Sequence, residues 1–217
     1  MSDGERSPGR PQAVESEGLE ARNTLIRTAA GLFAEHGFDG TSLRQVAEGA
    51  GVTPAMVAYY FRDKSGLMEA VVRAGLEHLL SVVRGAVDTH EPGRFTEVLV
   101  RSYVSAVVRE PWIPQLLIRE VISKETPLRT LFMEEFARRA IELVPPRLAE
   151  EIRRGSLRAD LDPRFAILSL VGMCLFPVIA QPVLGPLLGY ELNEAFAAAY
   201  GAHVLTLFLE GAGGVKP

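Results

Sequence analysis

Residues 51–61, GVTPAMVAYYF, read as a tight turn followed by a short helix that ends in a Tyr-Tyr-Phe cluster. Gly51 supplies a residue that tolerates positive φ. Thr53 is positioned to cap the helix, and Pro54 takes its first position, where a missing N–H is harmless. Just upstream, Ser42-x-x-Gln45 has the form of a capping box and predicts a preceding helix. Leu43, Val46, Ala47 and Ala50 fall on the inner face of that helix, leaving Arg44, Gln45 and Glu48 outside. Two short helices cross closely only where the facing residue is small, as Ala47 is. Val57, six residues after Gly51, fills the wedge between them. The pattern is that of a helix-turn-helix, with a plain αα-corner as the alternative on spacing alone.

The predicted second helix of the pair, from Pro54 to Phe61, is chemically bare. Residues 51–61 contain no Arg, Lys, Asn or Gln. Val57 and Phe61, one turn apart, belong to the core, which leaves Ala55, Met56 and Tyr59 outside. None can make the bidentate contacts that best distinguish guanine or adenine. Ala55 and Met56 can pack on thymine methyls, and Tyr59 can donate one hydrogen bond. A charged contact has to come from a neighbouring helix, where Arg44 is either that contact or a solvated surface arginine.

Outward from this pair, Leu25, Ile26, Ala29, Leu32 and Phe33 form an apolar stripe on a helix over residues 19–36, closed by Gly37. Asp63 is positioned to cap a further helix beginning at Lys64. Residues 22–68 resemble the DNA-binding domain of the TetR family (tetracycline repressor-like regulators). The likeness rests on LFAEHGF at 32–38, Thr41-Ser42, VAEGAGVT at 46–53 and YFRDKSGL at 60–67. It implies that Thr41, Ser42, Thr53, Tyr60 and Lys64 hold the DNA backbone, while Arg44, Pro54, Ala55, Met56 and Tyr59 lie against the groove. Lys64 also stands at a helix N-terminus, where exposed N–H groups favour an anion. Where the family usually carries a Tyr after the wedge residue, this chain has Ala58, which passes that contact to Tyr59.

Composition sets limits on any such function. The chain has 217 residues, 47% of them hydrophobic and 23% charged, and apolar residues recur at spacings of three and four almost throughout. That predicts an all-α fold. Net charge is −4, divided as −3 over residues 1–21, +1 over 22–64 and −2 over 65–217. A protein so charged is no polyelectrolyte binder, so any DNA contact comes from a small, shaped surface. Cys174 is the single cysteine, in an apolar run, and fits a reducing compartment. Residues 165–190 carry no charge over 26 positions, which is long enough for a bilayer. Pro177, Pro182, Pro186, Gly185 and Gly189 interrupt the second half, so the expectation is a helix over 165–176 followed by an apolar loop, with no membrane span.

The expected domains are a disordered lead at 1–18, the helix-turn-helix unit at 19–64, a helical ligand-binding and dimerisation domain at 65–211, and a flexible tail at 212–217. A kink or split is expected at Pro145-Pro146. No HExxH, GxSxG or P-loop is present, and His36, His78, His90 and His203 share no ligand spacing. The reading is therefore a non-enzyme without catalytic residues, metal or cofactor. The resemblance implies an inducer pocket, assigned to Tyr103, Trp112, Gln115, Leu116, Arg119, Met133, Phe136, Met173 and Phe176. With one short reading helix in an acidic protein, useful affinity requires two half-sites and hence a homodimer. Phe165, Leu168 and Gly172 with Ala195, Ala198, Ala199 and Ala202 are the expected interface. The function this implies is a cytoplasmic, ligand-responsive repressor that binds a double-stranded, palindromic operator and is released by a small, mostly apolar effector. The alternative is a helical small-molecule- or lipid-binding protein with an incidental helix-turn-helix.

Overall fold

The computed structural model describes residues 11–89 and 93–212, with the side chains of 11–17 and 212 left aside. Ten helices follow one another among the described residues, and no strand. They are α1 (Pro11–Gly40), α2 (Leu43–Gly49), α3 (Pro54–Phe61), α4 (Lys64–Val87), α5 (Phe95–Arg109), α6 (residues 112–122), α7 (residues 127–153), α8 (Pro163–Ile179), α9 (Gln181–Leu188) and α10 (Glu194–Ala212). Two compact units divide the chain, residues 1–71 and 72–217, with the division inside α4. The first helix begins at Pro11, ahead of the expected residue 19. Residues 1–10, most of the expected disordered lead, and 213–217 of the expected tail lie outside the described residues.

In the first unit, Leu25, Ala29, Phe33, Val46, Ala47 and Val57 are fully buried, as the apolar stripe predicts. α1 breaks at Gly37, whose φ of 74° only glycine adopts without strain. The Thr41 hydroxyl lies 2.9 Å from the Gly37 carbonyl and 3.1 Å from that of Leu32, tying the α1–α2 connection to the end of α1. The Ser42–Gln45 capping box forms in both directions. Gly51, at φ 68°, turns the chain between α2 and α3.

In the second unit, α5 is the most enclosed helix and packs against α7, α8 and α10. Its own N-cap residue, Arg94, makes no capping hydrogen bond. The buried carboxylate of Glu151, from α7, does so instead. It accepts from the Thr96 backbone N–H at 3.3 and 3.4 Å and from the Thr96 hydroxyl. Each of α6 and α7 contains a π-wound segment, Leu117–Ile122 and Phe132–Ala137. α7 runs through Pro145-Pro146 unbroken, contrary to the expected split. The two carbonyls whose N–H partners these prolines remove belong to Ile141 and Glu142, on the exposed side, where water can substitute.

The uncharged stretch also departs from expectation. α8 passes through Pro177 to Ile179, and residues 181–188 form α9, a helix rather than a loop, bent 77° from α8. No single described helix is long and apolar enough to cross a membrane. Pro177 has no N–H to offer the Met173 carbonyl four residues back. The Tyr200 hydroxyl, from α10, donates to that oxygen at 3.0 Å. The Tyr190 hydroxyl donates to the Pro177 carbonyl at 2.8 Å, the next group exposed by the bend. Phe196 stacks between the two tyrosines, 4.9 Å from Tyr190 and 5.3 Å from Tyr200.

Tyr200→Phe should therefore cost about 1–3 kcal/mol by stranding the Met173 carbonyl. In a Pro177→Ala background, which restores the missing N–H, the same change should cost much less. Chemical unfolding of the four proteins checks this; equal costs in both backgrounds would refute the compensation.

Candidate functional site

The first unit presents α3 as a ridge with one apolar and one exposed side. Val57 and Phe61 are buried, Pro54, Ala55 and Ala58 are exposed, and Met56 is half-buried. Tyr59 projects furthest, at 81% exposure, its ring 5.1 Å edge-on from Tyr60. Tyr60 is half-buried beside Phe61, and a Cβ at Gly18 would lie 3.3 Å from its hydroxyl, so it also packs on α1. Thr53 occupies the N-cap position with extended backbone, but its hydroxyl makes no capping bond, contrary to expectation. That exposed hydroxyl remains available to an outside acceptor or donor.

The charged groups are tethered. Arg44 Nε donates to Glu48 Oε1 at 2.9 Å, both side chains well exposed. An exposed pair one helical turn apart is weak, so an incoming phosphate or guanine can displace it. Lys64 Nζ donates to the Thr41 carbonyl at 3.0 Å and lies 4.5 Å from the centre of the Phe38 ring. This ammonium bridges the α1–α2 connection to the start of α4, with donors left over for an anion at the same helix N-terminus. Ser42 is exposed, its hydroxyl engaged with Gln45. Thr41 is the correction in this set: at 2% exposure its hydroxyl closes α1 internally and does not reach an outside phosphate.

One residue that the sequence left without a role positions this surface. Gly66, in the first turn of α4, lies so close to the end of α3 that a Cβ would overlap the Phe61 carbonyl oxygen. The Asp63 carboxylate accepts from the Gly66 N–H at 2.8 Å, making the expected cap. α3 ends there at Arg62, whose φ of 65° is unusual for a non-glycine residue.

The second unit holds a cavity of about 210 Å³ bounded by α4, α5, α6, α7 and α8. Of the residues assigned to a pocket, Tyr103 and Phe136 line it. The others do not. Leu116 is core, and Trp112 packs on α4 at Gly75 and donates its indole N–H to Glu110. Met133 and Phe176 point outward at 58% and 61% exposure, Arg119 is exposed, and Gln115 and Met173 are half-buried off the cavity. The π winding bears on two of these misses, Arg119 and Met133, because it turns their side chains away from the 3.6-residue pattern. The others lie on regular helix, where packing decides which face meets the cavity. Leu117, Ile118, Ile122 and Phe132, all from the π-wound segments, line the cavity beside Phe136. Cys174 lines it too, and burial pushes its thiol up to about 12, so it remains protonated.

Away from the cavity, α8 exposes Phe165, Leu168, Gly172 and Phe176, and α10 exposes Ala195, Ala198, Ala199 and Ala202. Every residue assigned to an interface is thus on the surface, and Phe176 joins that face.

Residues 25–71 match the family model "Bacterial regulatory proteins, tetR family". That segment, less than half of the chain, is what the family match covers. Similar relatives include the "Probable HTH-type transcriptional regulator YttP" of Bacillus subtilis (strain 168), 32% identical over 134 residues, 54% of this chain. That match spans 65% of YttP, just under two thirds of its length. "HTH-type transcriptional repressor KstR2" of Rhodococcus jostii (strain RHA1) is 28% identical over 72% of this chain and 78% of its own. The solved structure of the ketosteroid transcriptional regulator KstR2 of Mycobacterium tuberculosis shares the fold, with a TM-score of 0.73 at 22% identity over 88% of this chain and 94% of that one. These relatives are named as regulators, not enzymes.

Gly66→Ala should cost about 1–3 kcal/mol of stability by forcing α3 and α4 apart, and should weaken DNA binding with it. Thermal unfolding together with fluorescence anisotropy on duplex DNA tests this; an unchanged melting temperature would contradict the close approach.

Proposed function

We propose that this chain is a TetR-type, ligand-responsive repressor that binds a palindromic duplex operator as a homodimer, acts in the cytoplasm, and is released by a small, mostly apolar effector. The observation that carries the reading is the pairing of an exposed α3 ridge with a separate apolar cavity in the second unit. On the operator, Ala55 and Met56 pack against thymine methyls and Tyr59 donates a hydrogen bond. Pro54 opens the helix against the groove wall. Arg44 exchanges Glu48 for a base or phosphate. Ser42, Thr53, Tyr60 and the Lys64 ammonium hold the backbone, which fixes register rather than sequence. Specificity then comes from methyl pattern and duplex shape more than from a donor–acceptor code.

The dimer buries the outward face of α8 and the alanine stripe of α10 against their copies. Several large apolar side chains exposed together, among them Phe165, Leu168 and Phe176, support an interface rather than a solvated surface. Small residues along α10 allow two helices to approach closely. The named relatives include a repressor and a ketosteroid regulator, which supports repression and an apolar effector here. A binding protein with an incidental helix-turn-helix is not favoured by the family match.

Selection of bound fragments from genomic DNA should return a palindromic site, and on it Arg44→Ala should lose about ten- to a hundredfold in affinity and relax preference at one base pair per half-site. Anisotropy titrations over a randomised half-site read both effects; intact affinity and preference would remove Arg44 from the contact. Ala198→Arg should give a folded monomer that no longer binds the operator, read by sedimentation velocity and circular dichroism. A wild type that sediments as a monomer at micromolar concentration would defeat the dimer.

A further inference from the structure

We infer that the cavity of the second unit takes an uncharged, largely hydrocarbon ligand of about 8–10 non-hydrogen atoms, whose one polar oxygen hydrogen-bonds to the Tyr103 hydroxyl. This deepens the proposed function and rests on its reading of the cavity as the effector site.

Three observations converge. First, the wall carries no Asp, Glu, Lys, Arg or His; apart from Tyr103 and the protonated Cys174 thiol it is hydrocarbon or aromatic. An ionised carboxylate, phosphate or ammonium placed there loses its water and gains no counter-charge, which is prohibitive. Second, Tyr103 is nine-tenths buried, lines the cavity, and its hydroxyl makes no hydrogen bond to the protein among the described residues. Open to the cavity, that hydroxyl is placed to exchange hydrogen bonding to water for a bond to a ligand oxygen. Burial also raises the phenol above its ordinary pKa, so the group stays a neutral donor and acceptor. Third, the volume is about 210 Å³. A dry cavity of about 150 Å³ accommodates benzene, which scales to a ligand of about 8–10 heavy atoms here. A steroid, the ligand class in the name of the KstR2 relative, exceeds that space.

The geometry assigns a division of labour. Leu99, Ile118, Phe136, Ile167 and Leu170 supply shape and burial from four helices, and Tyr103 supplies orientation. Because the wall includes both π-wound segments and one face of α8, filling the cavity acts on the helix whose other face is exposed.

The test uses the full chain and isothermal titration calorimetry with four probes: 4-propylphenol, propylbenzene, 4-propylbenzoate and progesterone. The phenol should bind about three- to tenfold more tightly than propylbenzene, and the benzoate at least about thirtyfold more weakly than the phenol. Progesterone should give no saturable heat. Tyr103→Phe should abolish the phenol's advantage while leaving propylbenzene affinity unchanged, a split that loss of packing alone does not produce. The inference is overturned if 4-propylphenol does not bind at millimolar concentration, if the benzoate or progesterone binds as well as the phenol, or if Tyr103→Phe leaves the phenol-to-propylbenzene ratio intact. Operator anisotropy on the same samples separates the two levels. Tyr103-dependent binding with no change in operator affinity upholds the ligand class and defeats the effector reading. Equal operator release from wild type and Tyr103→Phe upholds the effector reading and defeats the Tyr103 contact.

Discussion

A hydroxyl from one helix replacing an N–H that a proline removed from another governs the second unit. Without the Tyr200–Met173 bond, α8 would carry an unanswered carbonyl in its last turns. With it, and with Tyr190 on the Pro177 carbonyl, an uncharged segment long enough for a bilayer is folded back on itself against α10. The stacked Tyr190, Phe196 and Tyr200 rings hold both hydroxyls in place. The bend divides the segment into two helices, neither of which is by itself long and apolar enough to cross a membrane.

α8 then works on two faces. Ile167, Leu170 and Cys174 wall the cavity, while Phe165, Leu168 and Phe176 lie on the exposed side. A ligand that prefers one placement of α8 over another necessarily biases whatever the exposed face contacts, and by no more than its differential affinity. The second unit needs no separate relay for this, since a rigid helix carries displacement from one side to the other.

In the proposed function the first unit meets a different problem, that of reading DNA from an acidic protein with a bare helix. Its cations are not scattered over the surface. Arg44 is parked on Glu48 and Lys64 on the Thr41 carbonyl, each in a bond that an anion can replace or share. Such pairing restrains two long side chains before contact, which lowers the entropy lost on binding. The exposed face of α3 is left to methyl, ring and hydroxyl contacts.

How much of this could be read without coordinates depends on the range of the interactions. Local signals were sufficient for the Ser42–Gln45 box, the Gly51 turn, the Asp63 cap and the span of α3, because each is settled within a few residues. The alternation of buried and exposed positions on α8 and α10 was likewise readable, since a regular helix keeps its 3.6-residue period. Thr41 was misassigned because a hydroxyl that can reach a phosphate can equally reach Gly37 and Leu32, and only packing decides between them. Arg119 and Met133 were misplaced where π-wound segments shift the phase of α6 and α7, and the other pocket residues because spacing alone does not say which apolar face meets the cavity. Pro145-Pro146 and Pro177 did not break their helices: the freed carbonyls lie on the exposed side in one case, and Tyr200 donates to the freed carbonyl in the other. The amino-acid order determined most of the helices and the turn and caps of the helix-turn-helix. Tertiary contacts decided which side chains meet across the cavity, because that depends on helix phase and on partners distant in the chain.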